Sequence, residues 1–149
     1  MIFRMRSVVL AVVVLAVCDA VRDQSIAVKG RLLCGTAPAA NIRVKLIDTD
    51  TGIDPDDLLD QGYTDSNGEF SLSGGTAETS DIDPILNIYH DCNDVTGIGG
   101  VAKPGSRRVT FTLPGKYITQ GKQAKKTMDI GAINLELGFL DEGREYIVS

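Results

Sequence analysis

Apolar and polar residues alternate along several short stretches of this chain, and a period of two predicts β-strands. In residues 25–34, Ile26, Val28 and Leu32 fall on one side of the pattern, whereas the basic residues fall on the other. Residues 41–48 repeat this arrangement. Each stretch therefore predicts a strand with one buried face and one solvent-exposed face.

Residues 63–72, Tyr-Thr-Asp-Ser-Asn-Gly-Glu-Phe-Ser-Leu, predict two short strands that meet at a tight turn. Asp, Ser and Asn bond their own backbone, and Asn and Gly tolerate a positive φ, so this stretch is typical of a β-hairpin. Its position in mid-chain predicts sheets on either side of this corner. Residues 73–84, which hold Gly74-Gly75 and end at Pro84, predict a loop.

Three further strands are predicted in the second half of the chain. Residues 85–92 place His90 and Cys92 on their apolar face, and residues 107–113 alternate in the same way. The last strand, residues 127–139, changes parity at Gly131, which predicts a β-bulge there. Seven short strands in about 115 residues, separated by Gly and Pro loops, predict an all-β fold, an antiparallel β-sandwich.

The amino-terminal residues read as a secretory signal. Arg4 and Arg6 precede an apolar run, Val8–Val17, that is too short to cross a bilayer as a helix. Small residues follow it, so residues 1–20 are predicted to be a signal peptide cleaved after Ala20. Residues 21–149 then form one domain, which is predicted to be secreted and soluble without a transmembrane segment.

The cysteines fit this prediction. Cys18 is removed with the signal peptide, which leaves Cys34 and Cys92. In an oxidising compartment a pair of cysteines favours a structural disulfide, and each of these two ends the apolar face of a predicted strand. Free thiols or metal ligation are the alternatives.

Acidic residues crowd the loop after the second predicted strand, with six aspartates between Asp48 and Asp60. Loops rich in carboxylates can bind calcium, but this spacing departs from the EF-hand pattern. Gly52 falls at the fifth position of the loop, and Leu59 stands where a bidentate Glu is required. The pattern therefore favours a solvated acidic loop, with a weak metal site as the alternative.

Charge divides sharply along the chain. The segment 46–102 holds thirteen acidic residues and no Lys or Arg, whereas the segment 103–126 holds seven basic residues and no Asp or Glu. The basic residues, the candidate site for an anionic ligand, are Lys103, Arg107, Arg108, Lys116, Lys122, Lys125 and Lys126. An anionic lipid head group, a sulfated glycan or an acidic protein patch would suit them. Alternatively, the two segments lie side by side and neutralise each other.

The overall charge argues against nucleic acid as a partner. With 13 basic and 19 acidic residues, the predicted mature chain has a net charge of −6.

Several motifs together resemble the transthyretin-like proteins of nematodes, and the match spans roughly residues 26 to 145. The motifs are Val28-Lys29-Gly30-Arg31-Leu32-Leu33-Cys34-Gly35, Val44-Lys45-Leu46, Thr64-Asp65 with Gly68-Glu69-Phe70, Asp83-Pro84, Tyr89-His90-Asp91-Cys92, Pro114 with Tyr117-Ile118, and Asp129-Ile130-Gly131 with Ile133-Asn134-Leu135. The resemblance implies a small secreted β-sandwich that binds partners outside the cell, often at the cell surface, and it does not imply an enzyme.

Two departures from the family pattern matter. Many similar proteins carry a second cysteine pair, where this chain has Gly105 and Tyr146. Distant relatives that hydrolyse 5-hydroxyisourate use several histidines and end in Tyr-Arg-Gly-Ser. This chain has a single histidine, His90, predicted to be a hydrogen-bonded core residue, and it ends in Tyr-Ile-Val-Ser. No catalytic residue, metal ligand or cofactor is therefore predicted.

These observations predict a secreted, non-enzymatic binding protein that acts in the extracellular space or at the cell surface, where it bridges an anionic surface and a protein partner. The alternative is a carrier of a small apolar ligand in a channel between subunits, as in transthyretin itself. A hydroxyisourate-hydrolase-type enzyme is the least favoured hypothesis. The oligomeric state and the partner's identity do not follow from the sequence.

Overall fold

A computed structural model describes residues 21–53, 55–94 and 103–149 of the protein. The predicted signal peptide, residues 1–20, lies outside these ranges, as does most of the Gly-rich stretch before Lys103. The described strands are β1 Arg22–Cys34, β2 Ala37–Pro38, β3 Arg43–Asp48, β4 Asp57–Tyr63, β5 Glu69–Glu78, β6 Pro84–His90, β7 Ser106–Thr112, β8 Thr119–Gln120, β9 Thr127–Asn134 and β10 Glu142–Glu145. A single 3-10 turn, Gly115–Tyr117, precedes β8.

Two sheets form a β-sandwich, which confirms the predicted fold class. Sheet I contains β2, β1 and β5, and β8 and β9 also pair with β1. Sheet II has the strand order β10-β7-β6-β3-β4. The described part of the chain has ten strands rather than about seven, because β2 and β8 have only two residues each and β10 has four.

One strand pair departs from the predicted antiparallel arrangement. Strand β8 runs antiparallel to the start of β1, and the chain then reverses direction through residues 121–126. As a result, β9 pairs with the rest of β1 in parallel. The other described pairs are antiparallel.

The apolar faces predicted from the period of two form the core between the sheets. Ile26, Val28 and Leu32 of β1 are fully buried. The fully buried apolar residues of sheet II are Val44, Leu46, Leu86, Ile88 and Val109. Since burial of each such side chain contributes about 1.5–3 kcal/mol, these positions hold the two sheets together.

The predicted hairpin at residues 63–72 is wrong as a strand pairing, although its turn forms. The Gly68 N–H donates to the Asp65 carbonyl oxygen at 3.0 Å, and Gly68 has a φ of 78°. However, β4 pairs with β3 in sheet II, whereas β5 pairs with β1 in sheet I. The turn therefore carries the chain from one sheet to the other.

The loop predicted for residues 73–84 is also wrong in its first half, because β5 continues to Glu78. The glycines that suggested a loop are needed here for close backbone approach. A Cβ atom on Gly74 would lie 2.2 Å from the carbonyl oxygen of Leu59, and one on Gly75 would lie 2.3 Å from that of Gln24. The Gly74-Gly75 pair thus lets neighbouring strands pack tightly against β5.

The bulge predicted at Gly131 is present. Ile130 and Gly131 lie between the β9 residues that pair with Lys29 and Arg31, and Gly131 has a φ of 74°. The bulge lets Ile130 pack against the core, where its side chain fills the space above Gly30. The strand ends at Asn134, earlier than predicted, and Leu137 is 59% exposed instead of facing the core.

A disulfide links the two sheets at one end of the sandwich. Cys34 ends β1 and Cys92 follows β6, and their Cα atoms lie 5.8 Å apart. The bond closes a loop with a sequence separation of 58 residues. By chain-entropy arithmetic, such a crosslink stabilises the fold by about 4 kcal/mol.

Candidate functional site

The seven basic residues predicted as an anionic-ligand site do not form one surface. Arg107 and Arg108 are neighbours on β7, so their side chains leave opposite faces of sheet II. Lys103 lies before this strand, and Lys116 lies in the 3-10 turn, where its Nζ is 5.3 Å from the centre of the Tyr117 ring. The other three lysines lie together between β8 and β9.

Arg107 bonds to groups of the chain itself at the disulfide end of the sandwich. Its Nη1 donates to the carbonyl oxygen of Cys92 at 2.9 Å, and its Nη2 forms an ion pair with Glu142. Only 14% of the side chain is exposed. This geometry gives Arg107 a structural role.

Arg108 points to the outer face of sheet II. Its Nη1 donates to Glu145 Oε2 at 3.0 Å, and its side chain lies across Gly143, where a Cβ atom would be 2.8 Å from Nη2. The pair is about 40% exposed on both sides, 38% for Arg108 and 40% for Glu145. Arg108 therefore carries a partly compensated charge.

The segment 121–126, which we call the basic loop, connects β8 to β9 beside β1, at an edge of sheet I. The Gly121 N–H donates to the Asp23 carbonyl oxygen at 2.8 Å, and the Lys125 N–H donates to Thr119 Oγ1 at 3.0 Å. Lys122, Lys125 and Lys126 are exposed on this loop. Within the described ranges, no acidic residue forms an ion pair with any of these three lysines.

The acidic segment and the basic segment do not pair with each other in the described part of the chain. Asp81 pairs with Arg22 at 3.0 Å, and Asp94 pairs with Arg144. Neither arginine belongs to the segment 103–126. In this part of the chain the two segments therefore do not neutralise each other through direct ion pairs.

Part of the acidic segment gathers at one end of the sandwich. Carboxylate oxygens of Asp48, Asp50 and Glu78 lie within 4.8 Å of one another, an arrangement that could hold a hard cation. Burial raises the pKa of the Asp48 carboxyl. A hydrogen bond from the Asp83 N–H lowers this pKa, whereas the negative charges of Asp50 and Glu78 raise it further. Glu78 was missed in the sequence because it lies on another strand.

His90 is a core residue rather than a surface acid or base. It is 2% exposed, and its Nδ1 accepts a hydrogen bond from the Cys92 N–H at 3.1 Å. Burial, together with the positive charge of Arg107, lowers the pKa of His90 to about 4. The imidazole is therefore neutral at physiological pH.

A groove of about 610 Å³ crosses the outer face of sheet I at the bulge. Its charged lining residues are Lys29, Arg31, Asp65, Glu69 and Asp129. Phe70 is its one aromatic lining residue among those the structure describes. This lining suits a polar ligand better than the small apolar ligand of the alternative hypothesis.

A cationic and aromatic row on sheet II was not anticipated. Tyr63, Arg43, Tyr89 and Arg108 lie in register on four neighbouring strands, with side chains on the outer face. The Arg43 guanidinium lies 4.6 Å from the centre of the Tyr63 ring. The outward parity of Arg43 and Tyr89 was visible in the sequence, but their pairing across strands was not.

In the described ranges, no helix is long and apolar enough to serve as a membrane span.

Comparison with known proteins bears on the identity of this sandwich. The sequence profile of the transthyretin-like family matches residues 29–114. Transthyretin-like protein 46 of Caenorhabditis elegans is 62% identical over 141 residues, which cover 95% of this chain and 76% of that protein. Transthyretin-like protein 33 of the same organism is 50% identical over 127 residues, which cover 85% of each chain.

A third relative shows the same relationship. Transthyretin-like protein 5 of Caenorhabditis elegans is 48% identical over 122 residues, which cover 82% of this chain and 84% of that protein. These matches confirm the family predicted from the motifs. The chain belongs to the transthyretin-like family of nematodes.

Proposed function

We propose that this protein is a secreted, non-enzymatic binding protein that acts in the extracellular space or at the cell surface, and that its basic loop contacts an anionic partner. The observation that carries the proposal is the exposure of Lys122, Lys125 and Lys126 on one loop, without an ion pair to any described acidic residue. Family membership and the predicted signal peptide support the extracellular location.

The strength of this contact can be bounded. A basic residue near an anionic membrane contributes about 1 kcal/mol, so three lysines contribute about 3 kcal/mol at low salt. Binding through the basic loop alone is therefore weak and sensitive to salt. A second contact, such as a protein bound at the acidic end of the sandwich, would raise the overall affinity through multivalency.

The geometry offers little support for catalysis. The only histidine is buried beside the disulfide, and its Nδ1 is engaged by the backbone of Cys92. In addition, the chain ends in Tyr-Ile-Val-Ser instead of the terminal motif of the hydroxyisourate hydrolases. In contrast, the exposed lysines of the basic loop suit a binding role.

Co-flotation with liposomes tests the proposal. The oxidised mature protein is mixed with neutral vesicles or with vesicles that contain phosphatidylserine, across a salt series. The test variant carries Glu at Lys122, Lys125 and Lys126. The matched control carries Glu at Lys29, Lys103 and Lys116, which are also exposed and give the same change in net charge.

We expect binding to the anionic vesicles alone, loss of binding at high salt, and loss in the test variant but not in the control. Equal loss in both variants would show that the overall charge, and not the basic loop, is responsible for binding. If the protein binds no vesicle at any salt concentration, the lipid form of the proposal fails, and a sulfated glycan column then tests the remaining anionic partners.

A further inference from the structure

The groove on the outer face of sheet I contains cations and carboxylates that are neighbours but do not pair. Lys29 and Arg31 point outward from β1, because they alternate with buried core residues. Arg31 lies opposite Glu69 of β5, and Lys29 lies opposite Asp129 of β9. Opposite charges in such positions normally attract each other, yet neither pair reaches ion-pair distance in the part of the chain that the structure describes.

Backbone groups at the rim of the groove hold three of its charged side chains. Arg31 Nε donates to the main-chain oxygen of Asn67 at 3.0 Å, and Asp129 Oδ1 accepts from the Gly131 N–H at 2.9 Å. Asp65 Oδ1 accepts from two N–H groups of the turn before β5, both at 2.9 Å. Each bond occupies only one polar atom of its side chain. The Nη atoms of Arg31 and the Oδ2 atoms of the two aspartates are therefore positioned and can still bind a ligand.

The mixture of charges in the groove disfavours an ionic ligand of either sign. Among the lining residues that the structure describes, the cations Lys29 and Arg31 stand beside the carboxylates of Asp65, Glu69 and Asp129. An anion bound to the two cations would also lie close to the carboxylates, and a bound cation would lie close to Lys29 and Arg31. Like charges brought together in this way reduce affinity. A ligand without a net charge avoids both repulsions.

The size and floor of the groove favour a small polar molecule. Its volume of about 610 Å³ is in the range of small-ligand sites. Phe70 is only 6% exposed, so it offers a ligand little apolar surface. The other described lining residues are small, namely Gly30, Ser71, Gly131 and Ala132. A ligand in this groove therefore gains its affinity from hydrogen bonds to the charged side chains.

We infer that this groove is a binding site for a neutral oligosaccharide of about two or three sugar rings. A sugar hydroxyl donates one hydrogen bond and accepts others, so a single hydroxyl can accept from Arg31 and donate to a carboxylate. Neighbouring hydroxyls of one ring can use Arg31 with Glu69 on one side and Lys29 with Asp129 on the other. Such hydrogen bonds are charge-assisted, which makes them stronger than bonds between neutral groups.

The affinity for a single short glycan should be low. The lining side chains are exposed, so water competes for the same donors and acceptors, and there is little apolar contact to add to the hydrogen bonds. We therefore expect half-saturation by a trisaccharide on the order of 1 mM. A surface that presents many copies of the glycan would bind more tightly only if several protein molecules were linked.

This site goes beyond the proposed contact of the basic loop with an anionic partner, and the two succeed or fail independently. None of the described residues that line the groove belongs to the basic loop. The ligands also differ, because one is neutral and the other is anionic. Substitutions in the groove that conserve net charge should therefore leave flotation with anionic vesicles unchanged.

The test is an NMR titration of the oxidised mature protein with three neutral trisaccharides, the trimers of N-acetylglucosamine, glucose and mannose. The control ligand is trigalacturonate, which has the same number of rings and a carboxylate on each. We expect at least one neutral trimer to shift the amides of Arg31, Ser71 and Gly131 in a saturable way, and trigalacturonate to leave them unshifted. The inference fails if no neutral trimer saturates these amides, or if trigalacturonate saturates them at a lower concentration.

The double variant Arg31→Gln with Glu69→Gln keeps the net charge and should lose at least about tenfold in affinity for the trimer that binds the parent protein. The matched control, Arg22→Gln with Asp81→Asn, removes an exposed ion pair outside the groove, also without a change in net charge, and should bind like the parent. Equal affinities of the parent and the test variant would overturn the inference.

A second variant covers the case in which the double variant does not fold. Asp129→Asn keeps an oxygen to accept the Gly131 N–H and loses only the charge of the acceptor. It should also weaken binding of the trimer, and unchanged binding would contradict the assigned site. Loss of vesicle flotation in either groove variant, with trimer binding retained, would make the groove an anion site instead.

Discussion

Arg107 and Cys92 are joined by a hydrogen bond of 2.9 Å from the guanidinium Nη1 to the main-chain oxygen. The cation of β7 therefore holds the residue whose sulfur closes the disulfide with Cys34. The same guanidinium reaches the carbonyl oxygens of Leu135 and Leu137 and the carboxylate of Glu142. One side chain thus ties together the strand ends and loops at this end of the sandwich.

Replacement of Arg107 should consequently be costly. We expect Arg107→Gln to lower the free energy of unfolding by about 2–4 kcal/mol, because several carbonyl groups and Glu142 lose a charged donor. Urea denaturation followed by circular dichroism measures the change. Arg108→Gln is the matched control and should cost less than about 1 kcal/mol, since its pair with Glu145 is more exposed to solvent than the pair of Arg107 with Glu142. Equal costs would contradict the structural role of Arg107.

His90 should make stability depend on pH. Its pKa is about 4 in the folded protein against 6.5 ordinarily, so the unfolded chain binds more protons between these values. This stability is complete above pH 6.5 and is lost as the pH falls towards 4. We expect a loss of about 2–3 kcal/mol between pH 7 and pH 4.5 from this group.

The variant His90→Asn isolates that contribution, because Asn cannot titrate and offers an acceptor near the position of Nδ1. Urea denaturation at the two pH values should show a smaller loss in this variant than in the parent protein. Parallel pH profiles of the two proteins would show that His90 is not the group responsible.

Asp48 should change the pH dependence of stability in the direction opposite to that of His90. Burial raises the pKa of its carboxyl, so the folded state binds the proton more tightly than the unfolded chain does. The contribution of this group to stability therefore falls as the pH rises through its folded-state pKa. Asp48→Asn removes the charge and keeps an oxygen to accept the Asp83 N–H. We expect the variant to be more stable than the parent at pH 7, with the gain disappearing at low pH. Asp141→Asn, at an exposed position, should show neither effect when melting temperatures are compared.

Two glycines should respond differently to alanine. At Gly131 a Cβ atom would meet nothing within 4 Å, so Gly131→Ala costs only the strain of its positive φ, about 1–2 kcal/mol. At Gly74 the Cβ atom would lie 2.2 Å from the Leu59 carbonyl oxygen. Gly74→Ala should therefore cost more, because β4 must move away from β5. Thermal unfolding of both variants gives the order, and the reverse order would contradict this packing.

The sequence by itself determined the sandwich and its core. Alternation placed Ile26, Val28 and Leu32 inward because a strand presents successive side chains to opposite faces, which is a local property of the backbone. The bulge at Gly131 was predictable for the same reason, since only an extra residue reconciles the two parities around it. The family motifs pointed to the same fold.

Strand pairing was decided only by the tertiary structure. The turn after Tyr63 looks like a hairpin locally, yet its two strands belong to different sheets, because β4 finds β3 and β5 finds β1. Likewise, Gly74 and Gly75 signal a loop in the sequence but serve close packing in the fold. Local turn chemistry does not specify which distant strand a segment will pair with.

The candidate sites depended on tertiary structure most of all. Seven basic residues lie in one segment of the sequence, but adjacent residues on a strand face opposite ways. Arg107 therefore forms a mostly buried ion pair with Glu142, whereas Arg108 lies on the outer face of sheet II. In contrast, Arg43, Tyr63 and Tyr89 lie far apart in the chain and meet in one row across sheet II. Linear order determines which chemical groups are present, and the pairing of strands determines which of them can act together.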